Sequence, residues 1–202
     1  MTDHLAKRVI ATAFESPDEM LTLVRAEPHL LESRTGLGET PLHYLAVENQ
    51  LRAVILLAEA GASIDTVSDV GGTPLSEAAS LGYTEMVEFL LSQGASLKLP
   101  KQHEPTLHEA VRSANQKIVQ LLLNAGASID EQNELNETAL HLAAESEDRL
   151  PVLKTLIKAG ADLGIKAAFD ETALDVALRE GCDACAVELA SAGAPRSRTS
   201  AV

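Results

Sequence analysis

The residues best suited to chemistry in this chain are six histidines and two cysteines, the latter spaced as Cys182-Asp183-Ala184-Cys185. A C-x-x-C pair suits thiol–disulfide exchange, or it supplies half of a zinc site. The other half is missing, because no second C-x-x-C and no closely spaced histidine pair completes four ligands. Cys185 also falls at the apolar start of a short helix ending near Ala190, where a small buried thiol packs well. Packing and redox or metal regulation through Cys182 and Cys185 both stay open. The histidines divide in two: His43, His108 and His141 each follow a leucine in a recurring phrase, whereas His4, His29 and His103 stand alone. Successive members of a row of packed helices lie roughly 10 Å apart, too far for the first set to share a metal. No nucleophile elbow, phosphate loop or dinucleotide fingerprint is present, and no carboxylate pair sits in apolar surroundings that would raise a pKa. The expectation is no enzyme, no cofactor and no metal.

The elements that position these residues repeat. Thr40-Pro41-Leu42-His43, Thr73-Pro74-Leu75, Thr106-Leu107-His108, Thr138-Ala139-Leu140-His141 and Thr172-Ala173-Leu174 each open a helix. Gly61-Ala62, Gly94-Ala95, Gly126-Ala127, Gly160-Ala161 and Gly193-Ala194 each close a second one, with a period of about 33 residues. Thr40, Thr73, Thr138 and Thr172 stand where an N-cap hydroxyl accepts from the first free N–H groups. Pro41 and Pro74 follow at the first helical position, where a missing N–H is harmless. Pro105-Thr106 inverts that order, so the third helix pair must be capped differently or shifted. The second helices, such as Met86–Leu91 and Ile118–Leu123, are apolar over much of their circumference, as sandwiched layers must be. With no Trp, two Tyr and three Phe, the core is built from Ala, Leu, Val and Ile.

These phrases resemble the ankyrin repeat family, whose motif is a β-turn, a first helix opened by T-P-L-H-x-A, a second apolar helix and a Gly-Ala exit. The resemblance covers about residues 35–195 and implies an all-α solenoid of stacked helix-turn-helix units joined by short hairpin loops. It further implies that His43, His108 and His141 brace the turns by hydrogen bonding between repeats. The expected organisation is one domain over 1–195, with a helical cap over 1–34 and repeats near 35–67, 68–99, 100–132, 133–166 and 167–195. Within the cap, Ser16-Pro17-Asp18-Glu19 reads as the start of its second helix. Residues 196–202 read as a disordered tail, and Ser200-Ala201-Val202 is too short a match to a carboxylate-capture motif to carry weight.

No signal peptide or membrane-spanning run is legible, and two cysteines are not a disulfide framework, so a cytoplasmic monomer is expected. The net charge of −14 opposes nucleic acid and anionic membrane, both of them polyanions. From Asp130 to Asp148 seven acids occur without a Lys or Arg, and between Thr35 and Leu97 the one basic residue is Arg52. Such a field favours solubility and also a basic protein partner.

The resemblance implies a partner bound on the turn tips and the exposed faces of the first helices. Three residues before each Thr slot the turns carry Leu37, Val70, Gln102, Leu135 and Phe169, four of them apolar. An exposed apolar row marks a contact stripe unless the side chains fold under the next turn. Glu39, Asp69, Lys101, Glu104, Glu134 and Glu137 rim it, and the first helices add Glu48, Leu81, Arg112, Glu145 and Arg179. The function expected is therefore a non-enzymatic module that binds another protein. The alternatives are a dedicated, antitoxin-like inhibitor of a basic enzyme and, more weakly, the cysteine regulator described above.

Overall fold

A computed structural model describes residues 2–196 of the chain; the predicted tail beyond Arg196, with Ser200-Ala201-Val202, lies outside the described residues. Among the described residues the regular structure is helical, with no strand. Twelve α-helices follow one another: α1 (Thr2–Glu15), α2 (Pro17–Ala26), α3 (Pro41–Val47), α4 (Leu51–Glu59), α5 (Pro74–Ser80), α6 (Thr84–Ser92), α7 (Thr106–Arg112), α8 (Gln116–Asn124), α9 (Ala139–Ala144), α10 (Leu150–Lys158), α11 (Ala173–Glu180) and α12 (Asp183–Ser191).

The threonine phrases act as the cap chemistry requires. Thr40 Oγ1 accepts from the His43 N–H at 3.3 Å. Thr73 and Ser76 cap reciprocally, the Ser76 N–H donating to Thr73 Oγ1 at 3.0 Å and the Thr73 N–H to Ser76 Oγ at 2.8 Å. Thr172 and Asp175 repeat the arrangement on α11. These side chains satisfy donors that a short helix leaves orphaned, and a cap of this kind stabilises by about 1 kcal/mol. In the third repeat Pro105 takes the N-cap position of α7 and supplies no side-chain bond. Thr106 is thereby moved to the first helical position. Helix exits turn through left-handed glycine, as at Gly94 with φ +81°.

Two compact units divide the chain, Met1–Glu104 and Pro105–Val202. In the first, α1, α3 and α5 pack as one row and α2, α4 and α6 as a second row beside it. In the other, α7, α9 and α11 form the first row and α8, α10 and α12 the second. Fully buried Leu45, Leu57, Met86 and Leu90 fill one interior, and Ile118, Leu122, Leu140 and Leu153 the other. Alanines such as Ala78, Ala79, Ala143 and Ala144, all 0% exposed, let the helices approach closely.

Ser16 caps α2, accepting from the Glu19 N–H. α2 ends at Ala26, and Pro28–Glu32 forms a separate 3-10 turn. Between α9 and α10 a 3-10 turn, Glu147–Arg149, runs directly into α10. Arg149 there donates to the Leu142 carbonyl at 2.8 Å and pairs with Glu145 at 2.7 Å, closing the end of α9.

The cysteines depart from expectation. Cys182 and Cys185 are joined as a disulfide, with their Cα atoms 5.3 Å apart, and are not free packing thiols. Burial at that place is as expected, since the two residues are 3% and 0% exposed. The physical reason for the pairing is local: Cys182 caps α12 and Cys185 lies in its first turn, so the helix start itself brings the side chains together. Among the described residues, no helix is long and apolar enough to cross a membrane.

Candidate protein-binding surface

Four of the hairpins between repeats are built from the same pair of backbone bonds. The Thr35 N–H donates to the Glu39 carbonyl and the Gly38 N–H to Thr35; Ser68, Asn133 and Ala167 begin the equivalent turns. Neighbouring hairpins are tied as well. The Asp69 N–H donates to the Leu37 carbonyl at 2.8 Å, and the Ala168 N–H to the Leu135 carbonyl at 2.9 Å.

In the first unit Leu37 and Val70 are 57% and 59% exposed; in the second, Leu135 and Phe169 are 59% and 94% exposed. None of the four folds under a neighbouring turn. Phe169 lies at φ +64° and Asp170 at φ +65°, a left-handed pair without glycine that strains the backbone. Gln102 behaves differently: its Oε1 accepts from the Leu99 N–H and its Nε2 donates to the Glu104 carbonyl, so it knits the third hairpin.

The charged candidates sort by engagement. Glu48 and Asp69 of the first unit are exposed, as is Lys101, while Glu39 and Glu104 are half-buried. Leu81, at the end of α5, is 47% exposed. In the second unit Glu134 is exposed and Glu137 accepts from Asn133 Nδ2 at 3.0 Å. The arginines Arg112, Arg149 and Arg179 there are paired: Arg112 with Glu109 at 3.1 Å, Arg149 with Glu145, and Arg179 with Glu171 and Glu180. A partner meeting this unit therefore faces acids whose neighbouring arginines are already occupied.

Part of the acidic excess is internal. Glu32 Oε1 accepts from the Ser63 N–H at 3.0 Å, Asp65 Oδ1 from Ser96 at 2.9 Å and Asp130 Oδ1 from Asp162 at 2.9 Å. Each carboxylate ties one helix exit to the next. The sequence held a signal for two of these ties, the recurring Ala-Ser-Ile-Asp at Asp65 and Asp130.

The three recurring histidines are buried, and two of them, His108 and His141, brace the next repeat. His43, His108 and His141 are each at most 1% exposed. His108 Nε2 lies 2.9 Å from the Glu137 carbonyl and His141 Nε2 3.2 Å from that of Glu171, in each case one repeat onward. The Thr138 N–H donates to His141 Nδ1, so the ring proton sits on Nε2 and is given to Glu171. His43 lacks this support at Nδ1, which is buried without a partner. Burial, with the nearby Arg34 charge in addition, pushes its pKa down to about 4. Burial also lowers His141, against the opposing pull of the Glu171 carbonyl. Among the described residues no group of three or more His, Cys, Asp or Glu is placed to hold a metal ion.

The family model described as ankyrin repeats (3 copies) matches residues 9–101 and 103–198. Among similar proteins, the ankyrin repeat protein nuc-2 of Neurospora crassa is 33% identical over 81% of this chain and 16% of its own length. The B-cell lymphoma 3 protein homolog of Mus musculus is 32% identical over 86% of this chain and 39% of its own. The nuclear factor NF-kappa-B p105 subunit of Gallus gallus is 30% identical over 82% of this chain and 17% of its own. The chain thus spans well under half the length of these relatives. Repeated caps, histidine braces and a family match over nearly the whole sequence agree: this chain belongs to the ankyrin repeat family and is a protein–protein interaction module.

Proposed function

We infer that the chain binds a protein partner through its hairpin tips and the exposed faces of its first-row helices, without catalysing a reaction. The observation that carries this reading is the recurrence of Leu37, Val70, Leu135 and Phe169 at one turn position, each more than half exposed. Four large apolar side chains held in water at equivalent places are unfavourable unless a surface covers them. Acids such as Asp69 and Glu134 stand exposed beside them, which favours a partner with basic residues around an apolar contact. An inhibitor of a basic enzyme would use the same surface, and it differs in predicting one very tight partner.

The test is capture from lysate with wild type and a Val70→Ser/Leu135→Ser/Phe169→Ser variant, the captured proteins being identified by mass spectrometry. A partner held by wild type and lost by the variant, at unchanged helical content, is the expected result. Equal capture by both proteins would overturn the turn-tip reading. Raising the salt separates the two contributions, because charge attraction weakens with ionic strength and apolar contact does not.

A further inference from the structure

The third repeat is irregular in sequence, and its hairpin folds toward the second one. The His103 N–H donates to the Gly71 carbonyl, and the His103 ring lies so close that a Cβ on Gly71 would clash with it. Beside this contact opens a recess of about 870 Å³ whose walls include Arg34, Thr66, Ser68, Asp69, Lys101 and His103. We propose that this recess takes an oxyanion, carboxylate or phosphoryl, carried on a side chain of a partner protein.

Three observations support that occupant. Thr66 is 5% exposed, and its hydroxyl is buried without a hydrogen-bond partner. A buried donor left unmatched is a group that an oxyanion can satisfy. Arg34 donates through Nη1 to the carbonyls of Gly38 and Val67, which anchors the guanidinium while its other nitrogens keep donor capacity. Lys101 is exposed and held at φ +70°, a strained backbone that places a cation at the recess. Two acids in the wall oppose that occupant, Asp69 and Asp65, the latter held by the Ser96 N–H and hydroxyl but still charged, and Arg34 and Lys101 balance them.

The apolar part of the wall decides between a free ion and one on a side chain. Val67, Leu99 and Pro100 line the same recess and give a side-chain stem a surface to bury against. A free dianion gains nothing from them. The proposal rests on the protein-binding reading above and adds to it one anchor of opposite charge to the acidic tips.

The test is a titration of the full-length, ¹⁵N-labelled chain with three probes: a capped glutamate peptide, the matching phosphoserine peptide and inorganic phosphate. Saturable movement of the Val67, Ser68 and Lys101 amides with either peptide is expected, and the stronger peptide identifies the oxyanion. Affinity should fall at least tenfold in Lys101→Glu and remain within twofold in Lys158→Glu, which changes net charge equally. Thr66→Val should also weaken binding without lowering the melting temperature. No saturable shift with either peptide, equal losses in both lysine variants, or movement by phosphate alone would overturn the proposal. The probes are supplied, so this outcome is independent of the natural partner. A failed recess together with capture lost in the turn variant would leave the protein-binding reading standing.

Discussion

Asp65 and Ser96, on successive helix exits, are bound at 2.9 Å from carboxylate to backbone N–H, so an apparently superficial acid holds two repeats together. Removing that carboxylate leaves the Ser96 N–H without its partner, and a hydrogen bond to a charged acceptor contributes about 1.5–3 kcal/mol. Asp65→Ala should therefore lower unfolding stability by about 2 kcal/mol, whereas Glu134→Ala, at an exposed acid, should stay within about 0.5 kcal/mol of wild type. Urea unfolding of the two variants checks this. Equal effects would mean that the acids act only through net charge.

His43 gives the fold a dependence on acid. Its folded pKa is about 4, against about 6.5 in an unfolded chain. Between those values the unfolded chain takes up a proton that the folded one refuses. The stabilisation is thus complete above pH 6.5 and is lost as the pH falls toward 4, amounting to about 3 kcal/mol. His43→Gln should show a correspondingly shallower decline over that window in urea titrations at fixed pH. Parallel curves for the two proteins would show that His43 is not the group responsible.

What the sequence made legible were the features whose cause is local. The caps at Thr73 and Thr172 involve residues three apart, so residue type and spacing suffice. The inversion at Pro105-Thr106 was visible as a departure; the recess of the first unit was not, because it depends on His103 reaching the preceding hairpin. The ties at Asp65 and Asp130 span 31 and 32 residues, so the recurring Ala-Ser-Ile-Asp marks the two acids but not the residues they hold. Burial of Cys185 followed from helical register; its bond to Cys182 did not, since C-x-x-C spacing serves thiols, metals and disulfides alike. The apolar turn row was readable as residue types, but its exposure is seen only in the fold.

Gly71 and Gly94 offer a controlled comparison of strain with contact. Their φ values are +82° and +81°, but a Cβ at Gly94 meets nothing within 4 Å while one at Gly71 meets the His103 ring. Gly94→Ala should cost about 1 kcal/mol, the conformational part alone. Gly71→Ala should cost about 2–3 kcal/mol, because overpacking adds to it. In thermal unfolding, Gly71→Ala/His103→Ala should recover to the level of Gly94→Ala. Failure to recover would place the clash elsewhere than on His103.

Phe169 should trade stability for binding. It is 94% exposed at φ +64°, so it gains little from burial and carries a left-handed backbone that disfavours a bulky side chain by about 1–2 kcal/mol. Asn adopts that conformation more readily, as Asn136 does at φ +56° on the neighbouring hairpin of the same unit. Phe169→Asn should therefore stabilise the chain by up to about 1 kcal/mol, seen as a higher melting temperature. The same substitution removes the largest apolar side chain on the tips, so affinity for a captured partner should fall by about tenfold or more. A gain in stability with unchanged affinity would remove Phe169 from the contact. A loss of stability would mean that the ring is held by packing within the fold, contrary to its exposure.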